Sequence, residues 1–224
     1  MQCTSVIHNF RQSTFASLPT RRSQIMTFLQ TLHQFWYWSL ISDGLSGEGL
    51  QSTLLSIETK FAGSSCNDLV TSDGSGSTII SGHFDKRIRF WDSRAESSSN
   101  DIPLQGKITS LDLSRDANYL LSCVRDDTVK LLDLRMKQIV VSFSADGFKV
   151  GCDWARATFS PDGQYIAVGS SDGSVYVWSV ATSKVETVLK DHSSAVTAVS
   201  WHPHGTFLAS VDRAKKATIW DDHV

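Results

Sequence analysis

From about residue 53 onward the apolar residues fall in short β-rich runs separated by clusters of turn-forming residues. Residues 154–189 show the pattern best. Trp154–Phe159 reads as a strand, Ser160-Pro161-Asp162-Gly163 as a turn, and Tyr165–Gly169 as a second strand. Ser170-Ser171-Asp172-Gly173 turns again, Ser174–Trp178 is a third strand, and Val185–Leu189 a fourth. Proline in the second turn position and glycine in the fourth suit a type I turn. In Val175-Tyr176-Val177-Trp178 both faces are apolar. A strand with one face in water would alternate, so this one is expected to be covered on both sides.

The unit repeats. Ile88-Arg89-Phe90-Trp91-Asp92, Val129-Lys130-Leu131-Leu132-Asp133, Val175-Tyr176-Val177-Trp178-Ser179 and Thr218-Ile219-Trp220-Asp221 are four versions of one ending. The steps from Trp91 to Leu132, Trp178 and Trp220 are 41, 46 and 42 residues. That period resembles the ~40–45 residues of a WD repeat, whose four strands form one propeller blade. Asp85, Asp126 and Asp172 each stand six residues before the tryptophan position, and Ser81, Ser122 and Ser170 precede them. In the last unit His192, Ser210, Asp212 and Trp220 resemble the hydrogen-bonded network of such repeats, with a turn two residues longer. Trp91, Trp178 and Trp220 with these aspartates form an expected structural set, in which turn aspartates accept backbone N–H groups and indoles donate to hydroxyls.

The first part of the chain reads differently. Residues 1–42 hold no Asp or Glu, and their fixed charges are Arg11, Arg21 and Arg22, so the remainder is net −5. We expect residues 1–52 to form a non-propeller segment, helical or disordered, and 53–224 the propeller portion. The apolar stretch Ile25–Ile41 is interrupted by Gln30, His33 and Gln34 and is short of the ~20 residues a membrane span needs. The acid-free, arginine-bearing start has the composition of a mitochondrial transit peptide, a minor expectation beside that of a cytoplasmic protein. The whole chain is net −2, which gives no basic footprint for nucleic acid. Cys3, Cys66, Cys123 and Cys152 are scattered, with no zinc or disulfide spacing.

One family is matched more closely. Phe61-Ala62-Gly63-Ser64-Ser65-Cys66-Asn67-Asp68, Ser81-Gly82-His83-Phe84-Asp85-Lys86, Gly106-Lys107-Ile108-Thr109, Arg125-Asp126-Asp127, Gly147-Phe148-Lys149, Asp153-Trp154 and Ser210-Val211-Asp212 together resemble the C-terminal propeller of autophagy-related protein 16, over about residues 59–224. The resemblance implies an all-β, partial WD-repeat β-propeller, with about four blades of a seven-blade pattern. It also implies a non-catalytic scaffold for autophagosome assembly, or for lipidation of ubiquitin-like autophagy proteins at single membranes. Its partners would be autophagy proteins, with the vacuolar proton pump among them, and recruitment would be to autophagosome-precursor or endolysosomal membranes. Nothing in these residues resembles the family's N-terminal helix or coiled coil, so direct binding of the autophagy-related 12–5 conjugate is not expected. An open arc would leave terminal blade faces bare, and residues 53–60 are expected to lack a strand mate.

In such propellers the residue before the turn aspartate lies on the rim of one face, which here selects Phe84, Arg125 and Ser171. By the resemblance, Phe84 and Lys107 fall where the family's propeller engages partners. Arg125 and Trp154 are further interaction candidates. No catalytic set, cofactor or metal is expected: Gly74-Ser75-Gly76 lacks the Lys-Ser/Thr of a phosphate loop, and His202-Pro203-His204 implies no third ligand. The alternative is a substrate receptor of a cullin-RING ubiquitin ligase, because Trp91-Asp92-Ser93-Arg94 and Leu132-Asp133-Leu134-Arg135 resemble the W-D-x-R signature of those receptors.

Overall fold

The computed structural model describes residues 38–41, 57–72, 78–92 and 98–221. All belong to the second of the chain's two units, Trp36–Val224; Met1–Phe35, with Cys3 and the arginine-bearing start, lies outside the described residues. The segment 1–52 is therefore described only at β1 (Trp38–Ile41), which pairs antiparallel with β2 (Ile57–Lys60). This corrects the expectation that residues 53–60 have no mate: Ile57–Lys60 is half of a two-stranded sheet.

The described residues from 66 onward form four antiparallel sheets, each a simple meander. Blade I is β3 (Cys66–Thr71), β4 (Thr78–His83), β5 (Arg87–Asp92) and β6 (Ser98–Pro103). Blade II is β7 (Ile108–Leu113), β8 (Tyr119–Val124), β9 (Thr128–Asp133) and β10 (Gln138–Phe143). Blade III is β11 (Ala157–Phe159), β12 (Tyr165–Gly169), β13 (Ser174–Ser179) and β14 (Val185–Lys190). Blade IV has three described strands, β15 (Val196–Trp201), β16 (Phe207–Asp212) and β17 (Ala217–Asp221). The chain is a partial β-propeller.

Sequence fixes the turns at one end of blades II, III and IV. Ser114 and Ser160 accept the N–H of Tyr119 and Tyr165, both at 2.9 Å, while Asp116 and Asp162 accept from Asn118 and Gln164. Ala117, Gly163 and Gly205 hold the same left-handed place, at φ 54°, 72° and 79°. Trp154–Arg156 is not strand as the sequence pattern suggested. The Ala155 N–H folds back to the Cys152 carbonyl at 3.3 Å, and the Arg156 N–H goes to Thr197 of blade IV, so β11 starts only at Ala157.

The first strands of neighbouring blades touch one another. The register slips between Cys66 and Asp68, Ile108 and Ser110, and Val196 and Ala198. A bulge re-aims the extra residue. Asn67 thus donates to Ile108 O at 2.6 Å and Thr109 to Ala155 O at 2.9 Å. The next residues complete the seam: Asp68 accepts Leu111 N–H and Ser110 accepts Ala157 N–H. Asp112 likewise accepts Phe159 N–H at 2.8 Å. Gly82 and Gly169 allow the close approach, since a Cβ there would lie 2.4 Å from Ile108 and 2.5 Å from Val196.

The core lies between blades. Leu121, Leu131 and Phe143 of blade II pack against Phe159, Ile166 and Trp178 of blade III. Smaller clusters join blades I and II through Ile80, Ile108 and Leu132, and blades III and IV through Val177, Val196 and Leu208. All six residues of β13 are buried, which explains its two apolar faces.

Candidate interaction site on the turn-bearing face

The turns between second and third strands emerge at the same end of each blade as the connections entering the next blade. One hydrogen bond repeats there: Phe84 N–H to Ser65 O, Arg125 N–H to Lys107 O, Ser171 N–H to Lys149 O, and Arg213 N–H to Ala195 O. These bonds define equivalent positions, and the Lys107 ammonium over the Phe84 ring joins the turn of blade I to the connection that enters blade II.

Behind this face lie the residues expected to hold the blades. In blade IV, Trp220 Nε1 donates to Ser210 Oγ at 2.8 Å, and His192 bonds Ser210 at 2.6 Å and Asp212 at 3.0 Å. Blade I builds a related chain: Trp91 Nε1 donates to Ser81 Oγ, which bonds His83 Nε2, both at 2.7 Å. His83 Nδ1 faces the Ser64 carbonyl at 3.4 Å. A carbonyl only accepts, so Nδ1 carries the proton and Nε2 accepts from Ser81. Burial, then the Arg89 charge, pushes the His83 pKa down to about 4.

The aspartates divide into two groups that sequence spacing did not separate. Asp212 ends its strand, where blade I has His83. Asp85, Asp126 and Asp172 lie one turn further on and hold local bonds: Asp85 grips Arg89 at 3.0 and 2.6 Å, Asp126 accepts from Thr128, and Asp172 from Ser174 and Tyr176. Ser170, grouped with Ser81 in the sequence, instead bonds Lys149 of the incoming connection. Blades II and III each hold half of the network. Ser122 Oγ is buried without a partner because Leu132 stands where Trp91 does. Trp178 Nε1 is buried without a partner because Val168 stands where Ser81 does.

On the surface, Phe84 is 44% exposed and the Lys107 ammonium sits 3.5 Å from its ring centroid. A cation over an aromatic face is worth ~0.5–1 kcal/mol at an exposed site. Arg125 Nη1 donates to Val150 O at 2.6 Å and Nε lies 3.3 Å from Asp153. Trp154, next in the chain, is 62% exposed. Phe84, Lys107, Arg125, Asp153 and Trp154 thus form a linked row across two seams, with Ser171 on the next seam.

The remaining candidates are quickly placed. Burial pushes the Cys66 and Cys123 thiols up to about 12 and raises that of Cys152, which makes them poor nucleophiles. His202 accepts from His204 N–H and bonds Thr206, so the pair builds a turn. Among the described residues no group of three or more His, Cys, Asp or Glu could hold a metal, and no helix is long and apolar enough to cross a membrane. Gly74-Ser75-Gly76, Ser93 and Arg94 lie outside the described residues. In the second W-D-x-R echo, Asp133 takes the Arg135 N–H and guanidinium at 2.8 and 2.9 Å, so these residues serve their own turn. A cavity of about 720 Å³ lies between blades III and IV, lined by Trp201, Phe207 and Trp220 and by none of the interaction candidates.

Repeating four-strand blades joined in this way define a WD-repeat protein, and sequence comparison agrees. The family described as WD domain, G-beta repeat matches residues 56–92, 102–133, 138–179 and 183–221, and the chain belongs to it. Its repeats are those of the C-terminal WD-repeat region of the autophagy-related protein 16 family. It is 50% identical to Protein Atg16l2 of Mus musculus over 69% of this chain and 25% of that protein. It is 39% identical to Autophagic-related protein 16.2 of Caenorhabditis elegans over 73% of this chain and 32% of that protein. With Autophagy-related protein 16 of Arabidopsis thaliana the identity is 34%, over 70% and 31%. The chain therefore matches no more than about a third of the length of these relatives.

Proposed function

We propose that this chain is a non-catalytic scaffold that works in autophagy by holding a protein partner on its turn-bearing face, with Phe84 and Lys107 as the contact. The observation that carries this is the exposed Phe84 ring stacked under the Lys107 ammonium at 3.5 Å. A large apolar side chain held rigid at the surface is what an interface anchor needs. The unreactive thiols, and the burial of the Ser81–His83 and Ser210–His192 pairs, whose serines also accept from Trp91 and Trp220, support a binding role. The names of the relatives support autophagy as the setting.

The finer reading is that the partner is the cytosolic sector of the vacuolar proton pump. The protein would then be cytoplasmic, recruited to endolysosomal or autophagosome-precursor membranes, where ubiquitin-like autophagy proteins are lipidated. Residues 1–52 stand outside the propeller in this reading. The test is capture of the purified pump sector by the immobilised chain. Phe84→Ala and Lys107→Ala should each weaken capture by a factor of about 10, corresponding to ~1–2 kcal/mol. Equal capture by both variants, with folding intact, would remove the reading.

A further inference from the structure

We propose that the outer edge of blade II is a membrane-contacting surface, on which Met136, Ile139 and Val140 enter the interface of an anionic lipid bilayer and Lys137 meets its headgroups. This surface lies at the end of the blade opposite the turn 125–127, and the inference does not depend on the docking reading of Phe84.

Blades II and III share one backbone here, which isolates what is special to blade II. Leu134 N–H donates to Asn118 O, and Val180 N–H to Gln164 O, both at 2.9 Å. Lys137 and Ser183 hold the same left-handed place, at φ 52° and 58°. The ladder then slips once in each outer strand, which makes Val140 and Glu186 equivalent bulged residues. Ile139 matches Val185, apolar in both. The other side chains differ. Blade III has Thr182 and Glu186 where blade II has Met136 and Val140. Residues 135–140 are all exposed, and the run holds three apolar residues, two cations and no acid. Met136 is 61% exposed, Val140 50% and Ile139 43%. A sheet edge open to water ordinarily carries charge. Packing does not call for these apolar residues, because blade III makes the same turn and bulge with a threonine and a glutamate.

The partner follows from area and charge. Three half-exposed side chains present far less than the ~800 Å² a side that a stable protein interface buries. A bilayer interface asks for no complementary shape, only apolar area beside cations. The Leu134–Asn118 bond ties the turn of Met136 to the turn that carries Arg115. In these turns and the two outer strands, Arg115, Lys130, Arg135 and Lys137 outnumber Asp116 and Asp133. Asp133 is answered by Arg135 at 2.9 Å, and Asp116 accepts from Ser114 and Asn118 in its own turn. The Lys137 ammonium lies 5.1 Å from the Phe90 ring, an uncharged neighbour that leaves its charge in place. In blade III the equivalent run 181–186 holds one cation, Lys184, and one acid, Glu186.

The experiment is flotation of the full chain with vesicles of phosphatidylcholine alone or with about 30% phosphatidylserine, melting temperature being recorded for every variant. Met136→Thr, Lys137→Ser and Val140→Glu give blade II the residues that blade III carries on the same backbone. The chain should float several-fold more with the phosphatidylserine vesicles, and less as salt is raised. Met136→Thr and Val140→Glu should each lower flotation about fivefold. Lys137→Ser should lower it only on the phosphatidylserine vesicles. Thr182→Met with Glu186→Val, which builds the same apolar tip on blade III, should raise it. Unchanged flotation of the Met136→Thr, Val140→Glu double variant overturns the inference, because another part of the chain then holds the lipid. Equal flotation on both vesicles overturns the anionic class of the surface. No flotation on either overturns the inference and leaves the patch to an acidic protein.

Discussion

Blades III and IV hold themselves together in opposite ways. Blade IV has a complete polar chain, Trp220–Ser210–His192–Asp212, with His192 and Asp212 buried, but its Trp220 is only partly covered. Blade III has no such chain. Its Trp178 indole N–H is unpartnered, yet the ring is fully buried against Phe148, Tyr176 and Phe143 at 5.1, 5.6 and 6.4 Å. An orphaned buried donor costs ~1–3 kcal/mol. Each aromatic pair returns ~0.5–1.5 kcal/mol beyond its buried area, and three such neighbours offset the loss. The hydrogen-bonded network is therefore one means of fixing a blade, and aromatic packing is another. A repeat that has one can lose part of the other.

The largest expected effect separates blade I from its neighbours. His83 has a folded pKa of about 4 against 6.5 for the free side chain. The unfolded chain takes a proton below pH 6.5 and the folded one only near pH 4, so its contribution is lost as pH falls through that window, by ~3 kcal/mol. Asp112 of blade II acts oppositely. Burial raises its pKa to about 6 from 3.8, so between those values the folded state holds the proton and stability falls as pH rises. The two slopes oppose each other between pH 4 and 6. Urea midpoints should show steep acid loss in Asp112→Asn and a gain toward acid in His83→Gln; parallel profiles would show that neither group titrates as described.

Next comes the contrast between the two kinds of aspartate. Asp212→Ala leaves the buried His192 N–H unpaired and should cost about 2 kcal/mol. Asp172→Ala, in an exposed turn, should cost about 1 kcal/mol or less. Equal losses in urea denaturation would mean that turn and network aspartates are equivalent. A smaller effect sharpens the blade III argument directly. Val168→Thr offers Trp178 Nε1 a hydroxyl in the place Ser81 gives Trp91, and should be neutral or stabilising. Val129→Thr, equally buried but without an indole, should cost ~1–3 kcal/mol. The smallest effect belongs to the surface: Phe84→Ala and Trp154→Ala should change stability by about 0.5 kcal/mol or less. A larger loss in thermal melts would make either residue a packing element.

Much of this architecture was legible in the chain. The recurrence of the tryptophan position set the blade count, and the two-faced apolar run ending at Trp178 announced a strand covered on both sides. The serine and aspartate turns gave the strand ends, because these bonds join residues within six positions of each other. Phe84 and Lys107 were picked out by resemblance, but nothing in the sequence shows them in contact, since 23 positions separate them. Trp154 was read both as the start of a strand and as an interaction candidate; the fold removes it from the strand and leaves it exposed. Its exposure comes from Ala155 and Arg156, which bond across to Thr109 of blade II and Thr197 of blade IV.

By itself, then, the sequence determined the repeat, the strands and the short turns, because those depend on local periodicity and on side chains that reach only their own backbone. The tertiary structure alone decided which serine and tryptophan go unpartnered and which cation lies on which ring. Those contacts cross from one blade to the next or run between strands. Their geometry is set by the rotation between blades and by the bulges at Asn67, Thr109 and Thr197, and a one-residue slip there exchanges the faces of every side chain that follows.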